Sequence, residues 1–309
     1  VTRWWRLSKA GLSIDPAPSS GRPRRLNHED LKNLAQLLEE GASAHGWPND
    51  LWTTPRVRDL IRRELGVEFS RSHVWVILKQ YLGWTSQQPT TRFRERDEAK
   101  IKRWPYTQFK RILCEAAKFN AYIAFIDEAG FMQMPVLRRT FSPCGQRPVV
   151  KISDPHGRIS TACALTVSPR NQRANIYFKM LANNTNYTGT SIARFVRLLS
   201  VKINAPLIVV WDCILIHLAK PVRQVVRDCG SISLRMLPKY APEINPADKV
   251  WAHVKYGCLA NYAPSTLDDL RITVKSELVA LKSRTDLLHS FIRRAGLDIK
   301  QLKKSKPSS

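Results

Sequence analysis

A chain of 309 residues, 43% of them hydrophobic, is long enough to hold two domains, one small and one near the upper range for a single core. Fifty Lys and Arg stand against 25 Asp and Glu, and the net charge of +25 creates a long-range field that draws polyanions. The basic residues are spread through periodic apolar segments and do not form one cationic amphipathic helix, which ranks nucleic acid well ahead of a ribosome-associated or membrane-surface role.

In chain order, residues 1–12 carry Trp4, Trp5 and Leu7 among Arg3, Arg6 and Lys9, a pattern that predicts a short basic helix stopping at Gly11. Residues 15–25 are rich in Pro, Ser and Gly and read as an extended linker with a basic tip. Apolar residues at three- and four-residue spacing then predict helices over 29–40, 55–65 and 70–81, a helix-turn-helix arrangement. Thr54 before Pro55 reads as an N-cap, Gly66 as a stop, and Ser70 as the cap of the third helix, which would be the reader. Residues 91–120 are charged, and 92–119 read as a helical connector.

The second half opens with a buried strand over 121–127 that ends in Asp127. Further strands are expected over 159–167, 174–180, 207–211 and 233–237, with helices over 191–199, from Pro246 onward, and over 267–297. Three strands followed by alternating helices and strands imply an α/β core with a mixed sheet. Residues 303–309 read as a solvated tail. The six cysteines are scattered without a CxxC pair or a Cys/His quartet, which argues against zinc and for reduced, intracellular thiols. No apolar run is long enough to span a bilayer and the start shows no signal pattern, so a cytoplasmic, nucleoid-associated protein with no membrane partner is expected. A chain beginning with Val also reads as one trimmed at its start.

Two segments share a design that suits a rigid metal ligand. The runs before Asp127 and Asp212 each deliver a carboxylate to the end of a buried strand, although either acid alone also fits an ordinary strand-end turn. In a third segment, Asn245 caps a helix with Pro246 first and Asp248 third, so Asp248 reads either as a capping acid or as a ligand. Brought together, three carboxylates would hold two Mg²⁺ ions roughly 4 Å apart and promote in-line displacement at phosphorus. With hard oxygen donors and no soft cluster beside them, Mg²⁺ or Mn²⁺ is favoured.

The blocks Phe125-Ile-Asp-Glu-Ala-Gly-Phe131, Val210-Trp-Asp-Cys-Ile-Leu-Ile-His217 and Leu237-Pro-Lys-Tyr-Ala-Pro-Glu-Ile-Asn-Pro-Ala-Asp-Lys-Val-Trp251, in this order and spacing, resemble the mariner superfamily of DDE/D transposases. The bacterial insertion sequence 630 branch is the nearest match, and the likeness runs from the Gly21-Arg22-Pro23-Arg24 linker to about Gly296. The resemblance implies an RNase H-like core over 121–300 and a metal-ligand role for Asp127, Asp212 and Asp248, with Glu128, His217 and Glu243 as secondary candidates. It divides the remainder into the end of a first helix-turn-helix (1–20), a linker (21–25), a second, winged-helix-like helix-turn-helix (26–90) and a basic tail (301–309). It also implies cut-and-paste transposition at TA targets by a homodimer on double-stranded DNA. Arg22, Arg24 and Arg25 would enter a narrow minor groove, and Ser70, Arg71, Ser72 and His73 would face the major groove, with Trp75 either there or in the core. Cys213, Asp248 and Lys239 depart from the family's usual Asn, Glu and Pro; a relative that binds DNA without cutting it is the alternative.

Overall fold

In the computed structural model, which describes residues 2–11, 24–152 and 157–303, the chain divides into two units, Val1–Thr91 and Arg92–Ser309. The first unit starts with helix α1 (Thr2–Lys9), on which Trp5 stays exposed beneath the ammonium of Lys9. Helices α2 (His28–Glu39), α3 (Thr54–Leu65) and α4 (Arg71–Val76) follow. Their apolar stripes meet in a core of Leu34, Leu38, Val57, Leu60, Ile61, Val74 and Ile77. The starts are capped: Asn27 and Asp30 form a capping box, Thr53 accepts from the Arg56 amide, and Ser70 accepts from the His73 amide. Thr53 thus takes the role expected of Thr54, which moves inside the helix. The helix expected over 70–81 begins at Arg71, and its last turn, Ile77–Tyr81, widens into a π-helix.

The segment expected to be a connector belongs instead to the second unit. It forms α5 (Glu98–Arg103) and α6 (Gln108–Lys118), and Ile101, Trp104, Phe109, Ile112, Leu113 and Ala116 join that unit's core. These residues recur at helical spacing, but the Lys and Arg between them mask the stripe in sequence.

Next come β1 (Tyr122–Met132), β2 (Arg158–Val167), β3 (Ala174–Met180), α7 (Gly189–Ile203), β4 (Leu207–Trp211), α8 (Lys220–Cys229) and β5 (Ile232–Met236). The mixed sheet has the order β3-β2-β1-β4-β5, with β1, β2 and β3 antiparallel in sequence and β1, β4 and β5 parallel. Helix α8 was not anticipated: Pro221 and four charged residues leave only a short valine pattern, of which Val222 and Val225 are buried. The sheet is followed by α9 (Pro246–His253), α10 (Leu267–Lys282) and α11 (Thr285–Arg294), so the helix expected over 267–297 is broken near Ser283 and Arg284.

Strand alternation sorts β1 between two cores. Ile123, Phe125 and Ala129 face the layer built by α5, α6, α9, α10 and α11, whereas Ala124 and Ile126 face the layer built by α7 and α8. On β4, Ile208 and Val210 follow the first group while Val209 and Trp211 follow the second. The register that pairs Phe125 with Val210 brings Asp127 level with Asp212, two residues farther on, on adjacent parallel strands. Asp127 does not end its strand as expected, because β1 runs on to Met132 along β2, but β4 stops at Trp211, and both carboxylates emerge there on the side that α9 covers.

Candidate active site

The cleft beyond the end of β4 has a volume of about 460 Å³ and is lined by Asp127, Asp212 and Asp248 together with Cys213, Lys239, Tyr240 and Asn245, among others. Asn245 fixes the third acid. Its buried side chain caps the Ala247 amide at 3.1 Å and donates to the Ile126 carbonyl at 3.4 Å, tying the start of α9 to the strand residue before Asp127. From that anchor, the first turn of α9 carries Asp248 to the cleft.

Burial raises the Asp127 carboxyl well above the usual range, and the charges of Glu128, Asp248 and Asp212 raise it further. Burial also raises Asp248, against the opposing pull of Lys249 and Lys255. Lys255 is a site residue that the sequence reading missed. It is half-buried in the π-helical turn Val254–Cys258, and burial pulls its ammonium below its ordinary range although Asp127 and Asp248 act to raise it. It lies seven residues after Asp248, about two helical turns along the same face, and that spacing was the available signal.

Glu128 faces the other side of β1 and meets the imidazole of His217, whose Nε2 lies 3.1 and 3.2 Å from the two carboxylate oxygens. The Nδ1 of His217 lies 2.8 Å from Asp212 Oδ1, and the ring stacks on Trp211 at 4.3 Å. The His217 side chain is fully buried. Burial alone would lower its pKa, but hydrogen bonds to Asp212 and Glu128 outweigh it and raise the value to about 10, so the ring carries a proton and bridges two acids. Glu243 is also paired, with both oxygens on the Arg96 guanidinium. Neither Glu128 nor Glu243 lines the cleft.

Among the described residues, no three Asp, Glu, His or Cys side chains converge to metal-ligating distance; the aspartates share the cleft but stand apart, as like charges do. The donor set nevertheless fits a hard divalent cation. Its carboxylates carry more negative charge than Lys255 balances, and the one soft atom in the cleft, Cys213 Sγ, donates to the Leu237 carbonyl at 3.3 Å.

In the helical unit, Arg22 falls outside the described residues. Arg24 lies over the Tyr81 ring, and Arg25 donates to the Glu68 carbonyl at 2.9 Å while lying over Phe69. The Ser70 hydroxyl is occupied as a cap and His73 stacks on Phe69 at 4.7 Å. Arg71 and Ser72 are exposed. So is Trp75, half of whose surface is open beneath Lys79, whereas Val74 is core.

No helix among the described residues is long and apolar enough to cross a membrane. Residues 122–271 match the DDE superfamily endonuclease family, and residues 48–106 match a winged helix-turn-helix family. No curated protein matches the chain. Among solved structures, it is similar to the mariner Mos1 paired-end complex with Mg, with a TM-score of 0.62 and 17% identity over 98% of this chain and 86% of that one. The Mos1 strand transfer complex gives 0.61 and 16% over 98% and 84%, and the Mos1 paired-end complex with the left transposon end gives 0.61 and 18% over 98% and 84%. Such identities speak for the fold, and the expected RNase H-like core behind a helix-turn-helix is the fold observed. Residues 122–271 therefore match a DDE superfamily endonuclease domain, on a fold similar to that of the mariner Mos1 transposase, and a segment matching a winged helix-turn-helix precedes them.

Proposed function

We propose that this protein is a transposase that binds the terminal inverted repeats of its element, cuts the DNA at their ends and joins the freed ends to a TA target, acting as a homodimer on DNA. The observation that carries this reading is the delivery of Asp127, Asp212 and Asp248 to one cleft from the middle of β1, the end of β4 and a capped helix start. The Mos1 structures of this fold are described as complexes with transposon ends and with Mg or Mn, which supports the same partner and metals here.

Asp127, Asp212 and Asp248 would hold two Mg²⁺ or Mn²⁺ ions. The chemistry such ions would supply there is activation of the attacking water or 3′-hydroxyl and stabilisation of the leaving oxygen. The protein's own residues supply the geometry. Asn245 holds the start of α9 against β1, and the His217 imidazolium orients one oxygen of Asp212, leaving the other for the cleft. Lys255 places a cation beside Asp127 and Asp248, where a DNA phosphate would enter. On the helical unit, the exposed Arg71 and Ser72 at the start of α4 are the side chains free to meet DNA, with Arg24 and Arg25 beside them on the linker.

The test is cleavage of labelled inverted-repeat DNA from the gene's flanks, with Mg²⁺ or Mn²⁺, by the starting protein and by Asp127→Ala, Asp212→Ala and Asp248→Ala. Metal-dependent cutting at the repeat end, lost in all three variants, is the expected result. Binding without cutting at any metal concentration would instead identify a DNA-binding relative that has lost catalysis.

A further inference from the structure

Arg96 is the most heavily tied side chain near the acids, and most of its partners lie in the turn leading into α9. Its Nη1 donates to the Tyr240 carbonyl at 2.6 Å and to Glu243 Oε2 at 3.0 Å, Nη2 bonds the second Glu243 oxygen, and Nε donates to Glu98 at 2.7 Å. The side chain is only 12% exposed, unlike an ordinary surface ion pair. Close by, Phe93 stacks on the ring of Tyr240, with centroids 4.3 Å apart and planes 24° apart. Tyr240 has φ of 57°, a left-handed conformation that a tyrosine holds only when its surroundings impose it. Tyr240, Ala241 and Pro242 line the acid cleft, and Asp248 lies on the first turn of the helix that follows.

We propose that Arg96 and Phe93 form a strap that clamps the Tyr240–Glu243 turn and thereby sets the position from which Asp248 reaches a divalent metal. Arg96 is then a positioning residue for the metal site, although it touches neither metal nor DNA, and Glu243 is its anchor. Planar, forked donation to a carbonyl and two carboxylates is a geometry that lysine cannot reproduce. The inference rests on the reading of Asp127, Asp212 and Asp248 as metal ligands.

The experiment measures Mn²⁺ binding to the full chain by titration calorimetry without DNA, for the starting protein, Arg96→Ala, Arg96→Lys, Glu243→Gln, the double variant Arg96→Ala/Glu243→Gln, and Asp127→Ala. Near-UV circular dichroism reports folding. The expected result is Mn²⁺ affinity about 10- to 100-fold weaker in Arg96→Ala, the range for residues that orient metal ligands, with a similar loss in Glu243→Gln and no further loss in the double variant. Lysine should not restore the affinity. Unchanged Mn²⁺ affinity in a folded Arg96→Ala protein would overturn the strap while leaving the metal site intact, provided Asp127→Ala loses binding. If Asp127→Ala binds as tightly as the starting protein, the metal-site reading fails first. Should Arg96→Ala not fold, Phe93→Leu carries the comparison: weakened Mn²⁺ binding supports the strap and unchanged binding rejects it.

Discussion

Asp127 and Glu128 are neighbours on β1 yet meet opposite surroundings. Glu128 turns toward the α7/α8 side, where the fully buried His217 takes both of its oxygens, while Asp127 turns toward α9 and is surrounded by more carboxylate than cation. Glu243 and Asp248 repeat the contrast in one loop and helix: the first is held by Arg96, and the second faces the cleft. Acids that the fold has neutralised hold elements together, and acids left in excess mark where an external cation belongs.

The largest effect that separates the two groups should come from the cleft. Asp127→Ala, Asp212→Ala and Asp248→Ala should each lower cleavage on the order of 10³-fold or more, the scale of a lost transition-state contact, with inverted-repeat binding in gel shifts preserved. Glu128→Ala should act on stability: it leaves the His217 imidazolium without one of its two carboxylates inside the protein, and urea unfolding should show a loss of about 3 kcal/mol. If Glu128→Ala were as stable as the starting protein, the distinction between structural acids and cleft acids would not hold.

Asp127→Asn sharpens the same contrast in the opposite direction. Removing one charge from the cluster should raise the Tm of the metal-free chain by about 3 °C while abolishing stabilisation by added Mg²⁺, both read by a thermal melt in EDTA and in Mg²⁺. The smallest effect is expected at Cys213. Its thiol is already satisfied by the Leu237 carbonyl, so Cys213→Asn should change the cleavage rate by less than about tenfold, the scale of one neutral hydrogen bond. A much larger gain would mean that the cysteine impairs catalysis.

The local signals were legible where one stretch of chain is sufficient. The apolar runs before Asp127 and Asp212 read as β1 and β4, and Asn245-Pro246 read as a helix start. Boundaries were blurred where packing decides them: α5 and α6 looked like a connector because charge masks their buried stripe, and α8 shows too few apolar residues to stand out. In the site, alternation along β1 could have told Glu128 from Asp127, because neighbours on a strand face opposite sides. The pairing of Glu243 could not be read, since Arg96 is distant in sequence. Lys255 was hidden by abundance, one more cation in a chain carrying 50. On the helical unit, the cap at Ser70 was anticipated, and its hydroxyl accepts from the His73 amide while its own O–H remains a donor.

The most direct test of the division between the acids that line the cleft and those that do not is the location of the metal itself. Crystals soaked in Mn²⁺ and measured for its anomalous scattering should show density at ligating distance from Asp127, Asp212 and Asp248, with Glu128 still on His217 and Glu243 still on Arg96. Manganese bound by Glu128 or Glu243, or none between the three aspartates, would contradict the account.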